Sequence, residues 1–319
     1  MDIKKEKINI ILIATSIILL FTYIFSFTNF SSTDKRKLIK SALVNKKYET
    51  SINKFEFSQN DQALVLEKKE NIWYVSNNDN ILLPVDKEII NNFIKNLTKV
   101  IIMYEITDKI SKNNAFGLTD SNTFCLKYYF SDSEFYQLYF GNLDFSNSFR
   151  YLMSGKNTNV YQIENSLDTF LTTSIQFWSE PYIVSRQIIN ISKDSVQTIK
   201  VKTQNKTTAF SASQNDFSKK CFDFLELRHG GGATQNDISN TTLENKQLEL
   251  IIENGDKTSL KINCFELEDT IILETIYNFN NAKTTTIYTK VSKWTYNKIK
   301  EIFNLFHSSK SLISETFPL

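Results

Sequence analysis

Residues 73–97, WYVSNNDNILLPVDKEIINNFIKNL, contain the change of period on which the fold turns. Trp73 to Val75 ends an alternation that begins at Ile52 and runs through Phe55, Phe57, Leu64, Leu66, Ile72 and Tyr74. A period of two marks half-buried strands, and the polar stretch 67–71 makes 63–74 a hairpin. After Pro84 the period lengthens. Ile89, Ile90, Phe93, Ile94 and Leu97 recur at i, i+3 and i+4, which gives a helix one apolar face. Asp86 stands where an N-cap is needed, with its carboxylate placed to accept from the first free amides. Strands followed by a capped helix indicate an α+β fold.

Further along the chain, 101–106 returns to strand character and Phe116-Gly117-Leu118 reads as a turn, with Gly117 free to take positive φ. Strands are expected at 124–130, 135–140, 150–153 and 160–163, then a short helix over 167–175. The second half has the same order: a helix over 217–227, a hairpin of 247–252 and 260–265, strands at 271–277 and 285–288, and a last helix over 293–306. That helix groups Trp294, Ile299, Ile302, Phe303 and Phe306 on one face. Helix, hairpin, two strands, helix thus occurs twice, offset by roughly 120 to 130 positions. Identity between the halves is slight, so two generic α+β halves of like order remain the alternative. The organisation expected is a first lobe over 51–191 and a second over 192–319, each an antiparallel sheet with helices on one face.

Towards the N-terminus the stretch 8–30, INIILIATSIILLFTYIFSFTNF, carries no charged side chain. Roughly 20 apolar residues suffice to cross a bilayer core of about 30 Å. No small-residue cleavage site follows, so residues 1–30 are expected to be an uncleaved transmembrane anchor, with Ile8, Ile13, Leu19, Phe21 and Phe27 facing lipid. Residues 31–50, with Leu38, Leu43 and Val44 at helical spacing, read as a juxtamembrane helix or linker. The cations on the two flanks, Lys4, Lys5 and Lys7 against Lys35, Arg36, Lys37 and Lys40, do not decide the orientation. An N-terminal anchor ahead of a large domain commonly inserts with its N-terminus inside, which would put the body outside the cytoplasmic membrane.

The 319 residues carry a net charge of +2 with both signs well mixed, which gives no basic face for nucleic acid. Aromatic residues make up 13% of the chain, enough to build a core rather than a disordered stalk. Cys125, Cys221 and Cys264 are scattered and there are only two histidines, so neither metal-ligand spacing nor a disulfide pairing is indicated. No metal and no cofactor is expected.

Two segments invite a functional reading. Arg228-His229-Gly230-Gly231-Gly232 could offer backbone amides and charge to an anion, but phosphate cradles precede a helix, and here the glycines follow one. A helix cap at Gly230 with a loop over 233–240 is the plainer reading. Phe177-Trp178 reads either as an exposed partner contact or as core packing. His307 suits the C-terminal end of the last helix. Asp120, Asp132 and Asp256 fit turns. No nucleophile elbow or catalytic constellation is present, so no catalytic residue is expected.

The motif order of the first lobe resembles a known family. Trp73-x-Val75 is followed by the Asp86-led helix, Phe116-Gly117-Leu118, Phe140-Gly141-Asn142, Tyr151, Val160-Tyr161-Gln162-Ile163, and finally the segment 181–186. This is similar to the bacterial domain-of-unknown-function family 4340, over residues 63–191. Val85-Asp86 replaces the family's A-D, and the proline of its Y-G-L-D-x-P turn is missing. The resemblance implies an N-terminal anchor and an accessory role beside gliding-motility-type ABC transporters, with ABC transporter subunits or an auxiliary membrane protein as partners. It carries over no catalytic residues. The function expected is a non-enzymatic, single-pass membrane accessory protein. The alternative is a module that binds an envelope glycan or lipid in a cleft.

Overall fold

The computed structural model describes residues 13–23, 37–108, 115–118, 123–130, 134–156, 158–189, 191–204, 206–255, 259–268, 270–278 and 284–305. The chain runs α1 (13–23), β1 (Leu38–Ser41), β2 (Lys54–Gln59), β3 (Gln62–Lys69), β4 (Ile72–Asn77), β5 (Leu82–Pro84) and α2 (Lys87–Thr98). Next come β6 (Ile101–Thr107), β7 (Phe124–Tyr129), β8 (Phe135–Leu143), β9 (Phe149–Ser154), β10 (Val160–Glu164) and α3 (Ile175–Trp178). The second half contains β11 (Val196–Thr203), β12 (Thr207–Ser211), α4 (Phe217–Leu225), β13 (Gly231–Gly232), α5 (Gln235–Ser239), β14 (Lys246–Asn254), β15 (Ser259–Glu266), β16 (Ile271–Tyr277), β17 (Thr285–Val291) and α6 (Lys293–Ile302).

The strands form two antiparallel sheets. The first has the order β1-β6-β10-β9-β8-β7-β2-β3-β4-β5, the second β12-β11-β14-β15-β16-β17-β13. Within them β10-β9-β8-β7-β2-β3 and β17-β16-β15-β14-β11-β12 have the same spatial order, with α2 and α4 at the same point of the connection. In each, a four-strand meander pairs through its first strand with an earlier hairpin, β7 on β2 and β14 on β11.

The Asp86 cap is formed: its Oδ1 accepts from the amides of Glu88 (2.9 Å) and Ile89 (3.1 Å). The apolar face of α2 then meets the first sheet. The Phe93 ring lies 5.1 Å from Phe55, 5.6 Å from Phe57 and 5.2 Å from Trp178, all fully buried. Such contacts contribute beyond the area they bury. In the second sheet Phe303, just past α6, packs 5.5 Å from Phe210 and 5.6 Å from Phe224. One main hydrophobic cluster runs through both sheets, and a small satellite of Ala233, Phe265 and Ile272 lies beside α5.

Several expectations change. The stretch 37–48 is not a helix: β1 pairs with the edge of β6, and a 3₁₀ turn follows at Lys46–Tyr48. The helix expected over 167–175 is a 3₁₀ turn at Asn165–Phe170 followed by the single-turn α3. Trp294 is 70% exposed and leaves the apolar face of α6 to Tyr296, Ile299 and Ile302. Gly230 is not the helix cap, since α4 ends at Leu225 with Glu226 as its C-cap; Gly231 and Gly232 pair with Lys290 and Thr289, and the loop expected over 233–240 holds α5 with a Thr234/Asp237 capping box. Gly117 does take positive φ, +65°, and a side chain there would collide with Asn142.

Among the described residues no helix is long and apolar enough to cross a membrane. The described part of the charge-free stretch is α1, about 16 Å long at 1.5 Å per residue, with Ile13, Leu19 and Phe21 exposed. Ile8, Phe27, His307, Asp120, Asp132 and Asp256 lie outside the described residues.

Candidate functional site: an aromatic groove and the seam behind it

The segments marked out in sequence, 177–178 and 228–229, lie at one seam between the sheets, linked through 180–182. Trp178 is fully buried and Phe177 half-buried against it, with ring centroids 5.2 Å apart, so this pair is core rather than an exposed contact. The Trp178 carbonyl accepts from Asp86 N (2.8 Å), and Glu180 N donates to the Pro84 carbonyl (2.8 Å), which fastens 178–180 along the end of β5. His229 then crosses the seam. Its Nδ1 accepts from Gly231 N (3.0 Å), so the ring proton sits on Nε2 and is donated to the Glu180 carbonyl (2.8 Å). Burial holds the His229 pKa below its ordinary value, although the bond to Glu180 opposes this.

Two of the three glycine amides are already committed within the protein. Gly230 N donates to the Lys290 carbonyl (2.8 Å) and Gly231 N to His229 Nδ1 (3.0 Å), while Gly232 faces Thr289 in the β13–β17 ladder. Arg228 is exposed and its guanidinium lies 5.6 Å from the Tyr182 ring, while Arg186 stacks on the same ring at 3.6 Å. This segment therefore has no set of free amides to cradle an anion. Its work is to join the sheets.

Glu180 sits at the centre of the seam, buried. Its Oε2 accepts from Ser185 Oγ (2.6 Å) and its Oε1 from Arg186 N (2.9 Å), while Ser185 N donates to Tyr277 Oη (2.8 Å). Burial pushes the Glu180 pKa above its ordinary value. Among the described residues no group of three His, Cys, Asp or Glu side chains could hold a metal ion. The three cysteines are free thiols, with Cys221 and Cys264 buried.

A concave site lies elsewhere. A groove of about 470 Å³ opens on the face of β7–β10, walled by the segment after β1. Strand register places its floor: Tyr128 faces Tyr136 across β7–β8, Leu138 faces Ser154 across β8–β9, and Tyr161 faces Leu152 across β9–β10. Tyr128 and Tyr136 are stacked, 5.6 Å apart at 9°, and Phe130 meets Tyr136 edge-on at 5.6 Å and Tyr48 at 4.6 Å. The wall is tied down where Val44 N donates to the Leu97 carbonyl (3.0 Å) and Tyr128 Oη to the Leu43 carbonyl (3.4 Å). Lys156 is the only charged side chain lining the groove among the described residues, and its Nζ lies 3.5 Å from the centre of the Tyr136 ring. Burial, and then the neighbouring Tyr136, push the Tyr128 pKa up to about 12, so this hydroxyl stays neutral at pH 7.

Sequence reading missed this groove. Its tyrosines alternate as core residues do, and the only available signal was their type. Tyr128, Tyr136 and Tyr161 combine an apolar body with a polar tip, which suits a face that ends in solvent.

Residues 73–253 match the family described as domain of unknown function (DUF4340). The chain belongs to that family. The match starts at Trp73 and reaches Glu253 at the end of β14, so this DUF4340 member carries the family sequence across the seam and into its second sheet. No curated protein and no solved structure matches the chain.

Proposed function

We propose that this DUF4340 protein is a non-enzymatic accessory protein of the cytoplasmic membrane, with its body on the outer side and an ABC-transporter-type complex as its partner. The observation that carries the reading is the aromatic groove, because one of its walls is the segment that follows the charge-free stretch 8–30. Ile39, the first residue of the groove lining, lies nine positions after Phe30, so a span ending there keeps the groove within about 30 Å of the bilayer surface. The 8–30 stretch supplies the length argument for such a span. The transporter partnership rests on the family resemblance.

Co-purification of the full chain from mild detergent tests it. Transporter subunits should be recovered in a fixed ratio with the wild type. Recovery of a lone monomer, with no membrane partner, would overturn the accessory reading.

One observation favours a second reading, an envelope ligand-binding module for a glycan or lipid. The groove has the size and apolar character of a small-molecule site, with few polar groups aimed into it.

A further inference from the structure

We propose that the groove binds a single acyl chain carrying an anionic head, taken from the adjacent membrane leaflet. The proposal rests on the ligand-binding reading and names its ligand class.

Shape and lining set the apolar part. Tyr48, Phe130, Tyr136 and Tyr161 surround the opening, and Leu138 and Leu152 lie on the floor. A volume of about 470 Å³ is in the lower half of the range for small-ligand sites, which suits one chain rather than two. No backbone edge is offered here: β7, β8, β9 and β10 are each paired on both sides, so an occupant must be held by side chains.

Charge sets the head. Lys156 is the sole charged group of the described lining, which holds no carboxylate. The ring of Tyr136 holds the ammonium in place, since a cation over an aromatic face is attracted to it. Its N–H groups can donate to an anionic oxygen, and charge-assisted bonds of this kind are the stronger ones. A neutral ligand would have no use for this cation. The short tether to the proposed span puts such amphiphiles at high local concentration beside the opening.

The test uses the full chain in phosphatidylcholine nanodiscs with a diazirine-bearing palmitate as the probe. Irradiation should label the peptides that carry Tyr136 and Tyr161. Unlabelled palmitate should compete about tenfold better than hexadecanol at the same mole fraction in the disc, because only the acid engages Lys156. Lys156→Gln should narrow that gap to about twofold, and Ser154→Trp, which fills the floor, should cut labelling about fivefold or more. Labelling spread over the body without enrichment at the groove would overturn the proposal. So would equal competition by the alcohol, or an acid preference unchanged in Lys156→Gln. Saturable groove labelling without any acid preference would sink the anionic acyl chain while leaving the ligand-binding reading standing. Co-purification of the same two variants reports separately on the transporter partnership.

Discussion

The two sheets repeat one strand order and close it differently. In the second, α6 follows β17 directly and lies on the core face, with Tyr296, Ile299 and Phe303 buried over strands whose inward residues Leu250, Ile262, Cys264 and Leu273 are fully covered. In the first, the segment after β10 forms no such helix. Its 3₁₀ turn puts Phe170 5.5 Å from Phe93, and Trp178 goes 5.1 Å from Phe57, so both pack beside α2. The far part of that meander is left to the short 41–48 wall, and the groove results. The same architecture is completed as a core in one half and left concave in the other. Leu250, Ile262, Cys264 and Leu273 line the sealed face, while the open one adds Tyr136, Tyr161, Ser154 and Lys156 to an apolar floor.

The strongest way to break the comparison is to remove the closure. Phe303→Ala deletes a ring that is 1% exposed and wedged between Phe210 and Phe224. It should cost about 3–5 kcal/mol in urea unfolding, the usual range for a buried Phe truncation. A loss under about 1 kcal/mol would mean that α6 is not what seals the second sheet.

Next is the joint between the halves. A Cβ on Gly232 would lie 2.1 Å from Ile81 Cγ2 and 3.3 Å from Leu83 Cγ, so β13 can approach the first sheet only as glycine. Gly232→Val should cost about 1–3 kcal/mol through overpacking. It should also split a single unfolding transition into two, seen as non-coincident tryptophan fluorescence and circular dichroism curves. Coincident curves would show that the halves remain coupled without this contact.

How much of this was legible depends on what set each element. The meanders, the Asp86 cap and the twofold order of elements are local, and their periods stand in the sequence. β1, β5 and β13 are four residues or shorter and exist because a neighbouring strand has a free edge, which no local pattern encodes. β11 does not stand out in the sequence, because Val196 falls out of step with Ile199 and Val201 at the register shift between Val196 and Thr198. Arg228 and His229 stand out in the sequence, and the structure ties them into the seam, through the Tyr182–Arg228 bridge and the bond from His229 to the Glu180 carbonyl. The groove stayed hidden because its concavity arises from a closing helix that the first half lacks.

Glu180 offers a subtler test of the seam, a change of slope rather than of level. Burial holds its pKa above the ordinary 4.5, against hydrogen bonds from Ser185 and the Arg186 amide. The folded state therefore keeps the proton more tightly than the unfolded chain. The stability this brings is full at low pH and is lost as pH rises through the raised pKa. Glu180→Gln removes that dependence, so the wild type should lose ground to the variant as pH climbs from about 4.5 to 7. Urea midpoints of both proteins across that window check it, and a constant difference would show that the carboxyl titrates normally.

The smallest effect is the one that separates an open face from a closed one. Tyr161 lines the groove half-buried, and the Phe130 and Tyr136 rings reach the same opening. If this face meets solvent or a ligand, the hydroxyl of Tyr161 contributes little to folding. Tyr161→Phe should then change unfolding free energy by no more than about 0.5 kcal/mol, as substitutions away from a sealed core do. Cys264→Ser, at a fully buried site of the second meander, supplies the contrast: it places a hydroxyl where no water reaches and should cost about 1–3 kcal/mol. Equal costs at the two sites would mean that the first meander is as sealed as the second, and that the groove is no more than a packing gap. A wide gap between them would leave the first sheet with a surface kept for something other than its own core.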